Sequence, residues 1–68
     1  MNFSSRLKEL RIQADASQKD LAALVGISPR SFRYYESGEK EPNIATLITL
    51  ADYFKVSLDY LVGRSDTK

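Results

Sequence analysis

The sequence predicts an all-α fold, a compact domain of five short helices, and three observations carry that expectation. Apolar residues recur at three- and four-residue spacing along most of the chain. A serine or asparagine opens each of the later apolar runs, and each of the three glycines falls where such a run ends. No alternation of apolar and polar residues competes for a strand, and no internal repeat or low-complexity tract interrupts the pattern.

The first helix is expected over residues 3–14, where Phe3, Leu7, Leu10 and Ala14 form one stripe. Ser17 with Asp20 three residues on is a start signal for the second, whose apolar face is Leu21, Leu24 and Val25 and whose stop is Gly26. Ser28 caps a third helix, roughly residues 29–37. Pro29 suits its first position, Phe32 and Tyr35 give it an inward edge, and Gly38 ends it. Residues 39–42 read as a loop. Asn43 then caps a fourth helix with Ile44, Leu47, Leu50, Ala51 and Phe54 on one face, the most strongly periodic segment. A short fifth helix starts at Ser57 and ends near Gly63, so the domain is read as residues 1–63 and residues 64–68 as a flexible tail. At three starts the residue before the cap is placed to staple one five further on: Ala16 with Leu21, Ile27 with Phe32, Val56 with Leu61.

Composition removes most chemistry. At 68 residues and 7.7 kDa, one fold must carry the function. With no cysteine and no histidine, disulfides, thiolates, zinc fingers and imidazole catalysis are excluded. No nucleophile–base pair, carboxylate cleft or phosphate-cradling glycine loop stands at recognisable spacing, and Asp52 and Asp59 read as cap or surface residues. We therefore expect no enzyme, cofactor, metal or small-molecule ligand. The first residues lack a signal-peptide core and no apolar stretch nears the roughly 18 residues that span a bilayer, so a cytoplasmic protein with no membrane partner is expected. Net charge is only +1, but residues 1–40 hold seven Lys/Arg against five Asp/Glu (+2) and residues 41–68 three against four (−1). An anionic partner should meet the first part.

The informative spacing lies between the second and third helices. Val25-Gly26-Ile27-Ser28 makes a tight turn with glycine at its first bend, which is helix-turn-helix geometry. Such a turn lets the first helix cross a phosphate backbone while the second enters a groove. Glycine suits a left-handed conformation that would cost another residue about 1 kcal/mol or more. Ile27, apolar and next to the cap, then plugs the junction.

The stretch SQKDLAALVGISPRSFRYYESG, with PNIATLITLADYFKVSLDYLVG after it, resembles the phage repressor and Cro type helix-turn-helix family, the xenobiotic response element family of bacterial and phage regulators. The resemblance covers nearly the whole chain. It includes Ser17-Gln18, Leu21-Ala22, Gly26-Ile27-Ser28, Glu36, Gly38, Pro42 and the run from Val56 to Leu61. It implies a lambda-repressor-like five-helix domain that binds double-stranded operator DNA, usually as a symmetric homodimer, and regulates transcription. Residues 63–66 resemble a linker start, so the chain is read either as a Cro-sized protein or as the DNA-binding part of a longer repressor.

Carried over by position, the base-reading residues are Ser28, Pro29, Arg30, Arg33 and Tyr34. Arginine can donate two parallel hydrogen bonds to guanine O6 and N7, and Arg30 is the first candidate. Pro29 departs from the family, which more often has a polar or basic side chain there; it is either an apolar contact to a thymine methyl or purely a first-turn helix former. Tyr34 stays open between phosphate contact, base contact and plain exposure, whereas Tyr35 falls with Phe32 on the core side. Gln18 matches a phosphate-binding position, and Ser17, Lys19, Lys40 and Asn43 are further phosphate candidates. Arg11 and Glu36 sit where the family places a structural ion pair; alternatively Glu36 pairs with Arg33 or Lys40 near it in sequence. Leu58, Tyr60 and Val62 are the expected dimer surface. In the competing reading the fold is a protein-interaction module with Phe3, Tyr53 and Tyr60 as contacts, which leaves the outward Arg30 and Arg33 without a purpose.

Overall fold

A computed structural model describes residues 2–68; Met1, the first residue of the expected domain, lies outside them. Five helices follow one another: α1 (Phe3–Gln13), α2 (Gln18–Val25), α3 (Pro29–Ser37), α4 (Ile44–Phe54) and α5 (Leu58–Val62), with no strand among the described residues. Each begins on a side chain that accepts a hydrogen bond from the amide three residues on: Asn2, Ser17, Ser28, Asn43 and Ser57. A cap of this kind is worth about 1 kcal/mol to its helix, a large fraction of what an eight- or nine-residue helix can supply alone.

The helix ends share one device. In each, the residue after the helix or one beyond it takes a left-handed backbone, and the following amide donates to a carbonyl five residues back, as in Ile27 N to Ala22 O at 2.9 Å. Glycine supplies that backbone at Gly26, Gly38 and Gly63, but α1 and α4 use Asp15 (φ 55°) and Lys55 (φ 58°), stops that no glycine signalled. At three junctions the left-handed residue is followed by an apolar residue and then a capping serine: Asp15-Ala16-Ser17, Gly26-Ile27-Ser28 and Lys55-Val56-Ser57. Ala16, Ile27 and Val56 pack against the core, as the staple pattern required. One apolar side chain thus closes the preceding helix and pins the start of the next.

Gly26 illustrates the cost of that turn in isolation. Its φ is +77° and an added Cβ would meet nothing within 4 Å, so only backbone strain opposes a side chain. Gly26→Ala should therefore destabilise by about 1 kcal/mol, a fall of roughly 4–8 °C in Tm for a domain this small. Thermal melting monitored by circular dichroism checks this. A loss several times larger would mean that the turn is held by packing.

The core comprises Leu7, Leu10, Leu21, Ala22, Phe32, Leu50, Ala51, Tyr60 and Leu61. α1 packs on α3 and α5, α2 on α3 and α4, and α4 on α5. Three apolar residues lie outside the faces assigned to them: Ala14, which follows the last residue of α1 and is exposed, Leu24 and Ile44. Leu24 is exposed, because the inner face of α2 is centred between Leu21, Ala22 and Val25 and Leu24 points roughly 110° away at 3.6 residues per turn. Ile44 is 67% exposed although it shares a stripe with Leu47, Leu50 and Ala51. It is the first residue of α4, beyond the turns of that helix that pack.

Arg6 is the departure with most consequence. It is 3% exposed, within the core. Its Nη1 donates to the Tyr60 carbonyl at 2.8 Å and to that of Ser65 at 3.4 Å, its Nη2 meets Asp66 at 3.4 Å, and the guanidinium lies 3.7 Å from the centre of the Tyr60 ring. These partners satisfy a charge that burial alone would not tolerate. They also bury Tyr60 to 7% exposure, which corrects its assignment to a dimer surface or a protein-contact surface. Residues 64–68, read from sequence as a flexible tail, run back along α5, and the Ser57 amide donates to the Lys68 carbonyl at 2.8 Å.

Candidate functional site

α3 has two faces of opposite character. Inward, Phe32 is fully buried, Tyr35 meets it edge-on with ring centres 6.0 Å apart, and the Glu36 side chain is only 4% exposed. Outward, Pro29, Arg30 and Arg33 are exposed and Tyr34 is half-buried. Nothing in the core uses these four side chains. Pro29 occupies the first helical position, where its missing N–H leaves no donor unsatisfied. The Ser28 hydroxyl is engaged in the cap, accepting from the Ser31 amide and bonding the Ser31 hydroxyl, both at 3.1 Å.

The expected ion pair is present and is more than a pair. Arg11 Nε donates to Glu36 Oε2 at 2.6 Å and Nη2 to Oε1 at 3.2 Å, a two-pronged contact from α1 to the last turn of α3. Arg11 Nη1 also donates to the Ala16 carbonyl at 3.1 Å, tying the same guanidinium to the junction before α2. Gln18 Nε2 donates to Glu36 Oε1 at 2.9 Å. The carboxylate therefore fixes α1, the start of α2 and α3 to one another, and the pairing of Glu36 with Arg33 or Lys40 does not occur among the described ion pairs.

Around this hub lies an open polar groove of about 460 Å³ lined by Lys8, Arg11, Ser17, Gln18, Arg33, Glu36 and Ser37. Three cations face it against one carboxylate that Arg11 already engages. The groove borders the first turn of α2, and a helix start favours an anion through its free amides and dipole. Lys8 was not singled out from sequence, yet it stands three residues before Arg11 on α1, a spacing that puts both on one face.

A second set of side chains lies elsewhere along α3 and in the loop after it. Arg30 Nε donates to the Tyr34 hydroxyl at 3.1 Å, and Lys40 Nζ sits 5.1 Å from the centre of the Tyr34 ring. Of the residues singled out from sequence, the structure thus gathers Arg11, Ser17, Gln18, Arg33 and Glu36 around the groove and Arg30, Tyr34 and Lys40 into a cluster. Lys19 and Asn43 join neither; Asn43 Oδ1 caps α4 through the Thr46 amide at 2.8 Å. Leu58 is exposed and Val62 half-buried on α5.

Known proteins share this architecture. A family model described as Helix-turn-helix matches residues 7–61. The chain is 40% identical over 67 residues to a protein named as an uncharacterized HTH-type transcriptional regulator, YqaE, of Bacillus subtilis, covering 97% of this chain and 58% of that protein. It is 32% identical over 65 residues to the cryptic phage CTXphi transcriptional repressor RstR of Vibrio cholerae, covering 96% of this chain and 59% of the repressor. It therefore spans under three fifths of the length of these two relatives. Among solved structures, the P22 c2 repressor in complex with a synthetic operator superposes with a TM-score of 0.86 at 28% identity, covering 96% of this chain and 98% of that one. The resemblance to phage repressors read from the sequence is thus found again in sequence relatives and in three dimensions. With a family match running from within α1 to within α5, the chain belongs to the helix-turn-helix family.

Proposed function

We propose that this domain binds double-stranded DNA sequence-specifically as part of a transcriptional regulator, a repressor acting at a near-palindromic operator in the cytoplasm of a bacterial or phage-infected cell. One observation carries the reading. The outward face of α3 holds two guanidinium groups and a tyrosine that the fold does not use, beside a groove whose cations border the start of α2. The likeness to the P22 c2 repressor, whose structure holds an operator, supports it.

In this reading α3 lies in the major groove with Arg30 as the principal reader of guanine, helped by Tyr34 and by apolar contact from Pro29. Gln18, Ser17, Lys8 and Arg11 face the phosphates across the groove, and Lys19, Lys40 and Asn43 add backbone contacts. Arg33 was placed among the base readers, but its position in the groove beside Gln18 favours a phosphate. Two copies joined through Leu58 and Val62 of α5 would present their third helices about one helical turn, ~34 Å, apart. No helix among the described residues is long and apolar enough to cross a membrane.

A salt series read by fluorescence anisotropy on duplex DNA tests this. Log K should fall linearly with log salt, and Arg33→Ala should lower the slope by about one while weakening all sequences alike. Arg30→Ala should cost about 1–3 kcal/mol on the preferred site and relax preference at one base pair. Salt-independent binding, or none to any duplex, would leave the interaction-module reading in its place.

A further inference from the structure

The geometry points to Tyr34 as a positioning residue that sets how Arg30 presents its guanidinium. This rests on the reading of α3 as the base-reading helix and goes beyond it by dividing labour between the two side chains.

A guanidinium carries N–H donors on three nitrogens, and it can address guanine O6 and N7 either end-on through Nη1 and Nη2 or side-on through Nε and one Nη. Here Nε is occupied: it donates to the Tyr34 hydroxyl at 3.1 Å, one helical turn away on the same face. The end-on fork is the edge left free. Tyr34 is itself held from behind. Its carbonyl accepts from the Ser37 hydroxyl at 3.1 Å and from the Glu39 and Lys40 amides at 3.0 and 3.2 Å, and the Lys40 ammonium lies 5.1 Å from its ring centre. The Arg30 guanidinium carbon is 6.0 Å from the same centre. An otherwise free arm of three methylenes is thus restrained at its guanidinium before binding. The ordering that guanine recognition requires is partly done in the free protein.

Tyr34→Phe keeps the ring and removes only the acceptor. In the free chain, the Arg30 Nε–H signal in a nitrogen–proton NMR spectrum should exchange with water faster in Tyr34→Phe than in the parent. For binding, the probe is the site recovered from a random duplex pool, remade with each of the four base pairs at the position whose preference Arg30→Ala abolishes. Tyr34→Phe should lower the preference for guanine there about three- to tenfold, with unchanged salt slope and unchanged affinity for unrelated duplex. In an Arg30→Ala background it should change nothing further. An undiminished guanine preference, or a loss of equal size without Arg30, would overturn the proposal, the second by making Tyr34 a DNA contact in its own right. If Arg30→Ala itself leaves every base preference intact, the base-reading assignment fails and Tyr34 falls with it. The NMR result then records whether the restraint exists without that use.

Discussion

Phe32→Ala should leave most of the chain unfolded at room temperature. The ring is fully buried at the centre of the core, and truncating such a side chain typically costs about 3–5 kcal/mol through lost transfer energy and the cavity left behind. A domain this small has roughly 3–5 kcal/mol in total to lose. Phe32 lies two residues from Arg30 on the same helix, so the contrast between them is instructive. Arg30→Ala should relax preference at one base pair and leave the melting curve unchanged, whereas Phe32→Ala should abolish the melting transition itself. Urea titration followed by circular dichroism at 222 nm reads the difference. A Phe32→Ala protein that unfolds cooperatively near the parent midpoint would show that α3 is not anchored through this ring.

The second large effect is expected at Arg11. Arg11→Ala removes both prongs from the Glu36 carboxylate, which is 4% exposed and would keep only the Gln18 amide. Breaking a buried ion pair on one side costs about 3–5 kcal/mol because the remaining charge is stranded; the Arg11 side chain is itself 16% exposed, so the lower figure applies. At about 3 kcal/mol, Tm should fall by roughly 12–24 °C. The penalty belongs to the stranded charge, so the double variant Arg11→Met, Glu36→Leu should be more stable than Arg11→Ala alone. A double variant no better than the single would assign the loss to the contacts of the arginine stem. In the double variant Gln18 also loses its anchor on Glu36, and affinity for duplex DNA of any sequence should weaken.

Much of this was legible because the signals are local. A capping side chain acts on an amide three residues away, so Ser17, Ser28, Asn43 and Ser57 marked four helix starts without knowledge of the fold. Gly26, Gly38 and Gly63 marked three ends for the same reason. The ends at Asp15 and Lys55 gave no such mark, since a left-handed backbone at a residue other than glycine is uncommon and neither residue type announces it. Burial was less legible because it depends on what lies opposite. Ile44 fits its stripe and has nothing over it. Arg6 sits between Phe3 and Leu10 at the three- and four-residue spacing of an apolar face, and that position was the available sign that its charge turns inward. Tyr60 was misplaced as a consequence, its ring being covered by a side chain 54 residues away.

In the candidate site, the Arg11–Glu36 pair followed from the family resemblance, whereas the addition of Gln18 to it needed three dimensions. The division of the outward face did too. Arg30 and Arg33, three residues apart, look equivalent on a helical stripe, yet one leans on Tyr34 and the other borders a groove built with α1 and α2.

The central claim is that the outward face of α3 reads bases through Arg30. Selection of bound fragments from a random duplex pool, run in parallel with the parent chain and Arg30→Ala, tests it most directly. The parent should enrich a near-palindromic site whose half-sites are about ten base pairs apart and contain a G·C pair that Arg30→Ala no longer selects. No enrichment by the parent, or the same site enriched by both proteins, would contradict it.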